Sequence, residues 1–222
     1  MYWILFIGIA LASWLVQANL KNKFEKYSKI PIDGGLTGRD IAVKMLHDNG
    51  IYDVEVVSTS GSLTDHYNPA NKTVNLSEDV YDTCSVAAAA VAAHECGHVI
   101  QHARGYVPIT IRTALVPIVN FASRLSMPLI LIGLILGYVG LAKIGVVLFC
   151  GVLIFQLVTL PVEFDASARA MRVLDSLGIL YGEEIKGARK VLTAAALTYV
   201  AAVVSTALQV FRLVLLINNR RD

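Results

Sequence analysis

The stretch His94-Glu95-Cys96-Gly97-His98 sets two imidazoles four residues apart with a carboxylate between them. On a helix, side chains at i and i+4 point the same way about one turn apart, so both imidazoles can reach one metal ion. The Glu95 carboxylate then lies beside the ion, placed to take a proton from a water that the ion has acidified. The pattern predicts His94 and His98 as ligands of zinc (Zn2+) and Glu95 as a general base for attack on a carbonyl. Cys96 falls on the opposite helix face and reads as core. A catalytic zinc needs a third protein ligand and one open position. His102 lies eight residues beyond His94, about 12 Å along the axis at 1.5 Å per residue, which makes it a pocket group or a polar face residue rather than a third ligand. Glu163 is the better candidate. It sits in Leu160-Pro161-Val162-Glu163-Phe164-Asp165-Ala166-Ser167-Ala168-Arg169, directly after an apolar block. An acid pressed against a membrane block is costly without a role, although an ordinary interfacial acid would occupy the same place.

The elements that must bring these residues together are mostly apolar. Of 222 residues only 16% are charged, against about 25% in a soluble domain, and mean hydropathy is +0.60. Four blocks are apolar: Tyr2–Leu20, Met127–Leu141, Ile144–Val162 and Val191–Ile217. A membrane span needs about 20 such residues. The first block has no charge, and Lys21, Lys23, Lys26 and Lys29 follow it. That order predicts a retained anchor with its N-terminus outside rather than a cleaved signal peptide. The second and third blocks form a hairpin turning at Lys143. Two crossings return Glu163 to the side of His94 and His98. The fourth block carries Gln209 and Arg212, so it either spans or lies along the cytosolic face.

The expected divisions are an anchor over 1–20, a zinc-helix catalytic region over 21–126, a transmembrane hairpin over 127–162, a third-ligand helix region over 163–190, a C-terminal apolar helix over 191–217 and a tail over 218–222. Ten Lys and Arg residues fall in Leu20–Ser126 and five in Glu163–Lys190, against three at Lys143, Arg220 and Arg221. This asymmetry puts the catalytic side in the cytosol.

Within the polar region, Thr37 and Asp40 cap a helix that buries Ile41, Ala42, Met45 and Leu46 and stops at Asn49-Gly50. Val54–Val57, Leu63–Tyr67 and Lys72–Leu76 are strand-like, with turns at Ser60–Ser62 and Asn68–Asn71. Ser85 caps an alanine-rich helix from Val86 to about Ala103, closed by Gly105. The expected fold is a mainly α membrane protein: a zincin-like α+β catalytic domain, made of a small hairpin sheet and the zinc helix, on about four transmembrane helices. Three scattered cysteines, Cys84, Cys96 and Cys150, give no disulfide framework and suit a reducing compartment. A net charge of +2 suggests no nucleic-acid partner.

The segments around His94 ("AAHECGHVIQH"), Asp65 ("DHYNPANKTVNLS") and Glu163 ("LPVEFDASARA"), with their flanking apolar blocks, resemble the bacterial membrane-bound neutral zinc metallopeptidases. More distantly they are similar to the HtpX and CAAX prenyl protease group. The resemblance implies zinc on His94, His98 and Glu163, Glu95 as base, and endopeptidase cleavage of membrane or membrane-proximal polypeptides. It also implies a multi-pass protein of the bacterial plasma membrane with its active site facing the cytosol. The partners implied are a polypeptide substrate and the lipid bilayer, and no protein partner is legible. In the wider group an aspartate four residues after the third ligand supports a zinc histidine. Ser167 stands there in this chain, and Asp165 falls on another helix face. An edge strand pairs with substrate in such enzymes, and by position Lys72–Leu76 fills that place. His66, followed by Tyr67 and Arg169, is the candidate oxyanion donor. Two other readings compete: a membrane scaffold that keeps the metal without turnover, and a deformylase-like amidase with Cys84 as third ligand.

Overall fold

The computed structural model describes residues 2–218; Asn219 to Asp222, the end of the expected tail, lie outside the described residues. Seven helices and three strands run in the order α1 (Tyr2–Ser28), α2 (Gly38–Asp48), β1 (Glu55–Thr59), β2 (His66–Asn68), β3 (Thr73–Ser77), α3 (Glu78–Tyr81), α4 (Val86–Ala103), α5 (Val107–Ile135), α6 (Val139–Ser176) and α7 (Gly182–Asn218).

The helix punctuation follows the sequence. Thr37 and Asp40 form a reciprocal capping box, the Thr37 hydroxyl accepting from Asp40 N and the Asp40 carboxylate from Thr37 N. Ser85 accepts from Ala88 N and starts α4. The alanine run makes α4 narrow enough to thread the centre of the polar domain, and all of Val86 to Ala93 except Val91 is buried. Ile41, Met45, Leu46, Val74, Leu76 and Val80 pack around it, and Leu174 and Leu180 close the core from the C-terminal side. At Gly97 an added Cβ would lie 2.6 Å from the Ala166 carbonyl oxygen. Only a glycine lets α4 cross α6 at this backbone-to-backbone distance, and the crossing brings His94 and His98 against Glu163.

The sheet order is β1-β3-β2, with β1 parallel and β2 antiparallel to β3. The expected β2–β3 hairpin is present, but the expectation that Lys72–Leu76 forms the edge is corrected. β3 buries Val74 and Leu76 completely and is paired on both sides. The short β2 is the edge next to α4. The segment between β1 and β2 carries the chain past β3, so adjacency in sequence misleads about adjacency in the sheet.

The hairpin turn is also corrected. It falls at Leu136-Gly137-Tyr138, not at Lys143, which lies inside α6. Gly137 has φ +74°, a left-handed turn conformation that glycine adopts freely. Ala142 and Lys143 are good helix formers, and a single charge does not end a helix. α5 starts at Val107, with a proline in its first turn, so residues 107–126 join the first arm of the hairpin. α6 carries both the third apolar block and Glu163 without interruption. Among the described residues α5, α6 and α7 are long and apolar enough to cross a membrane. Their outward residues, such as Phe121, Ile135, Val147 and Phe211, are exposed, as a lipid-facing surface requires.

Candidate metal centre

His94 and His98 on α4 and Glu163 on α6 offer ligand atoms that all lie within 4.8 Å of one another. Glu163 Oε2 is 3.3 Å from His94 Nε2 and 3.6 Å from His98 Nε2. The two imidazoles stand edge to face with centroids 4.8 Å apart, and Glu163 is only 2% exposed. A tetrahedral zinc with ligand bonds of about 2.0–2.1 Å sets neighbouring donor atoms about 3.3 Å apart, so the spacing fits. Two imidazoles and a carboxylate are also a donor set that suits zinc.

The hydrogen bonds behind the histidines strengthen this fit. Gln101 is fully buried. Its Nε2 donates to the Val162 carbonyl oxygen and to Asp165 Oδ2, both at 2.8 Å. Those partners only accept, so the amide orientation is fixed and Oε1 must face His98 Nδ1, 3.1 Å away. His98 therefore donates from Nδ1, which leaves its Nε2, 3.6 Å from Glu163 Oε2, as the nitrogen that can ligate a metal. Burial opposes a charge on His98, but the Glu163 contact and the charges of Glu95 and Glu163 outweigh it and raise its pKa. The surroundings thus favour positive charge at this point. His94 Nδ1 lies 3.1 Å from the Ser167 hydroxyl. Asp165 touches neither histidine but reaches His98 through Gln101, and Arg169 Nε donates to it at 2.5 Å.

Glu95 is 8% exposed, and its Oε2 accepts from Tyr67 N at 3.0 Å. Edge strand β2 is thereby fixed on the acid that follows His94. A cavity of about 380 Å³ opens here, lined by His94, Glu95, His98 and Glu163 and by His66, Arg112 and Tyr199. His66 is exposed, with Nδ1 2.8 Å from the Thr64 carbonyl oxygen. His102 also lines the cavity and sets its ring against Tyr67 at 5.5 Å. Burial, with His98 and Arg112 adding, lowers its pKa. Arg169 is engaged by Asp165 and stacks over Tyr106. Cys84 directs its thiol to the Ile32 carbonyl oxygen and Cys96 to that of Ala42, where burial pushes the Cys96 pKa up.

Sequence reasoning missed Arg112 and Tyr199. Arg112 Nη2 is 3.8 Å from Glu163 Oε1, and its Nε is buried with no hydrogen-bond partner among the described residues. The signal for it was a lone cation in the early turns of an apolar helix. Tyr199 reaches the same cavity as Glu163 from α7, and nothing marks it out from the other tyrosines in the sequence.

A polar domain holding a two-histidine, one-glutamate cluster beside a buried acid, mounted on long apolar helices, defines a membrane metallohydrolase. The chain belongs to the family described as "Putative neutral zinc metallopeptidase", whose model matches residues 2–218. Zinc is accordingly its metal, and a polypeptide its substrate. It is 44% identical to "Putative membrane protease YugP" of Bacillus subtilis (strain 168), over 98% of this chain and 99% of that protein. No solved structure matches it.

Proposed function

We propose that this protein is a zinc endopeptidase of the bacterial plasma membrane, cutting membrane or membrane-proximal polypeptides from the cytosolic side. The observation that carries this is the convergence of His94, His98 and Glu163, with Nε2 of both histidines within 3.6 Å of one Glu163 oxygen and Glu95 beside them at the cavity wall. His94, His98 and Glu163 would hold the ion. Zinc, when bound, supplies Lewis acidity that polarises a carbonyl and acidifies a water. Glu95 takes the proton of the attacking water and delivers it to the leaving amine. The Tyr67 N–H fixes one Glu95 oxygen and leaves the other for the water. Edge strand β2 takes the substrate backbone by strand addition. Arg112 and Tyr199, with His66 at the rim, are the donors available to a developing oxyanion.

The topology has α1 as a fourth span, with its N-terminus outside. Lys21, Lys23 and Lys26 at the end of α1 and Lys29 after it, together with Arg39 and Lys44 of α2, Arg104 after α4 and Arg169 and Arg172 near the end of α6, lie in the cytosol. The direct test is Glu95→Gln beside Glu163→Ala, with zinc content and casein cleavage measured on both. Glu95→Gln keeps zinc and loses nearly all cleavage, whereas Glu163→Ala loses zinc as well. Wild-type turnover in Glu95→Gln refutes the mechanism.

A further inference from the structure

The cavity beside Glu95 does not end there. A second, smaller one of about 140 Å³ shares Asp65, His94, Glu95 and Tyr199 with it. The remaining walls of the second cavity are apolar. Leu20 and Phe24 come from α1, Leu63 from the segment before β2, Val91 from α4, and Leu192 and Ala195 from α7. Phe24 and Leu63 also line a third space of about 570 Å³, whose rim is charged with Lys21, Glu25, Lys29 and Asp79. Shared lining residues link the three in order, from α5 past the candidate metal centre to the basic end of α1.

Leu63 is the unusual member. Its φ is +56° and the residue is 42% exposed. A leucine is rarely found in the left-handed region, and strain of that kind persists where surrounding contacts impose it, often at ligand sites. Here Thr64 Oγ1 donates to the Ser60 carbonyl oxygen, and Asp65 accepts from both Ser77 N and Ser77 Oγ. These bonds hold the segment on both sides of Leu63 and keep its side chain between the second and third cavities.

We propose that the 140 Å³ cavity is the subsite for an apolar side chain, of the leucine or phenylalanine class, on the residue that follows the scissile bond, with Leu63 and α1 as its selecting walls. The proposal rests on the peptidase reading above. Size supports it, since an apolar cavity of about 150 Å³ is large enough to hold a benzene ring. Direction comes from β2. Of these two cavities Leu63 lines only the smaller and precedes the strand, whereas Pro69 lines only the larger and follows it. A substrate pairing antiparallel to β2, the commoner arrangement, runs from the larger cavity towards the smaller. The residue after the cut bond therefore enters the apolar pocket. On this reading α1 is part of the substrate site as well as an anchor.

The test uses full-length zinc-loaded protein in detergent and a peptide set varied only at the residue after the cut, with products read by mass spectrometry. Wild type cleaves before leucine or phenylalanine at least about tenfold faster than before alanine, as apolar pockets discriminate. Ala195→Phe fills the pocket and abolishes that preference while cleavage before alanine continues. Leu63→Gly widens the preference. An unchanged profile in both variants, or a change confined to the residue before the cut, overturns the subsite. Binding of labelled leucine and aspartate peptides to the Glu95→Gln variant separates the subsite from turnover. A leucine preference in binding that Ala195→Phe removes upholds the pocket even if no peptide is cleaved. Equal binding of the two peptides overturns it even if cleavage occurs.

Discussion

Replacing Gln101 with methionine keeps its length and approximate volume but removes every hydrogen bond its side chain makes. His98 Nδ1 loses its acceptor, and Val162 and Asp165 each lose a donor. Gln101 has no exposed surface, so water does not substitute. Removing a group that orients a metal-binding histidine costs about 10–100-fold in metal affinity, or about 1.4–2.8 kcal/mol. The groups left unpaired cost the metal-free fold a further ~1–3 kcal/mol. Zinc affinity measured by competition against a chromophoric chelator, and denaturation of the zinc-free protein, report the two effects separately. Gln101→Glu retains the acceptor for His98 but sets a carboxylate against Asp165, so it weakens zinc less than Gln101→Met and destabilises the fold. Pairing it with Asp165→Asn returns a donor to that contact and recovers stability. If Gln101→Met binds zinc within about twofold of wild type, the assignment of the His98 tautomer through Gln101 is wrong.

Gly97→Ala places a methyl 2.6 Å from the Ala166 carbonyl oxygen. It lowers stability by about 1–3 kcal/mol, as overpacking does, and weakens zinc by parting α4 from α6; a normal melting temperature with normal zinc content contradicts the close crossing. Burial raises the Asp65 carboxyl above the usual range, more than the bonds from Ser77 lower it, and Glu95 adds to the rise. A carboxyl that binds its proton more tightly when folded loses stability as pH climbs from about 3.9, its value in the unfolded chain, through its folded value. Asp65→Asn lacks this loss, so in the zinc-free protein its stability advantage over wild type, read from urea midpoints, grows with pH; a pH-independent gap counts against it. A cysteine placed at Asn71 in a background lacking the native cysteines reacts with an impermeant label only after the cells are permeabilised. Labelling in intact cells reverses the proposed orientation.

The chemistry was more legible than the architecture. Helical spacing alone joins His94 to His98, and the cost of an acid beside an apolar block singles out Glu163. Caps at Thr37 and Ser85 are local hydrogen bonds, so local sequence reveals them. The position of Lys72–Leu76 in the sheet was not legible, because β1 reaches β3 past the strand that lies between them in sequence. The turn was placed at a charge when a glycine made it. Gln101 stands in the motif helix, but its role depends on Val162 and Asp165, which arrive from a distant helix. Asp165 was discounted for lying on another face of α6 than Glu163, and that face is the one that meets Gln101. Tyr199 enters the site only through the packing of α7.

The continuity of α6 fixes a distance. Glu163 comes 24 residues after Val139 in one unbroken helix, about 36 Å along it at 1.5 Å per residue. A hydrocarbon core is about 30 Å thick. A helix that enters the far face near Val139 and stands upright carries Glu163 to a height of a few ångströms above the near face. α6 is then a ruler, and the bonds within reach are those held at that height. Tilting the rod or thinning the bilayer would move the blade relative to the lipid without altering any residue of the site.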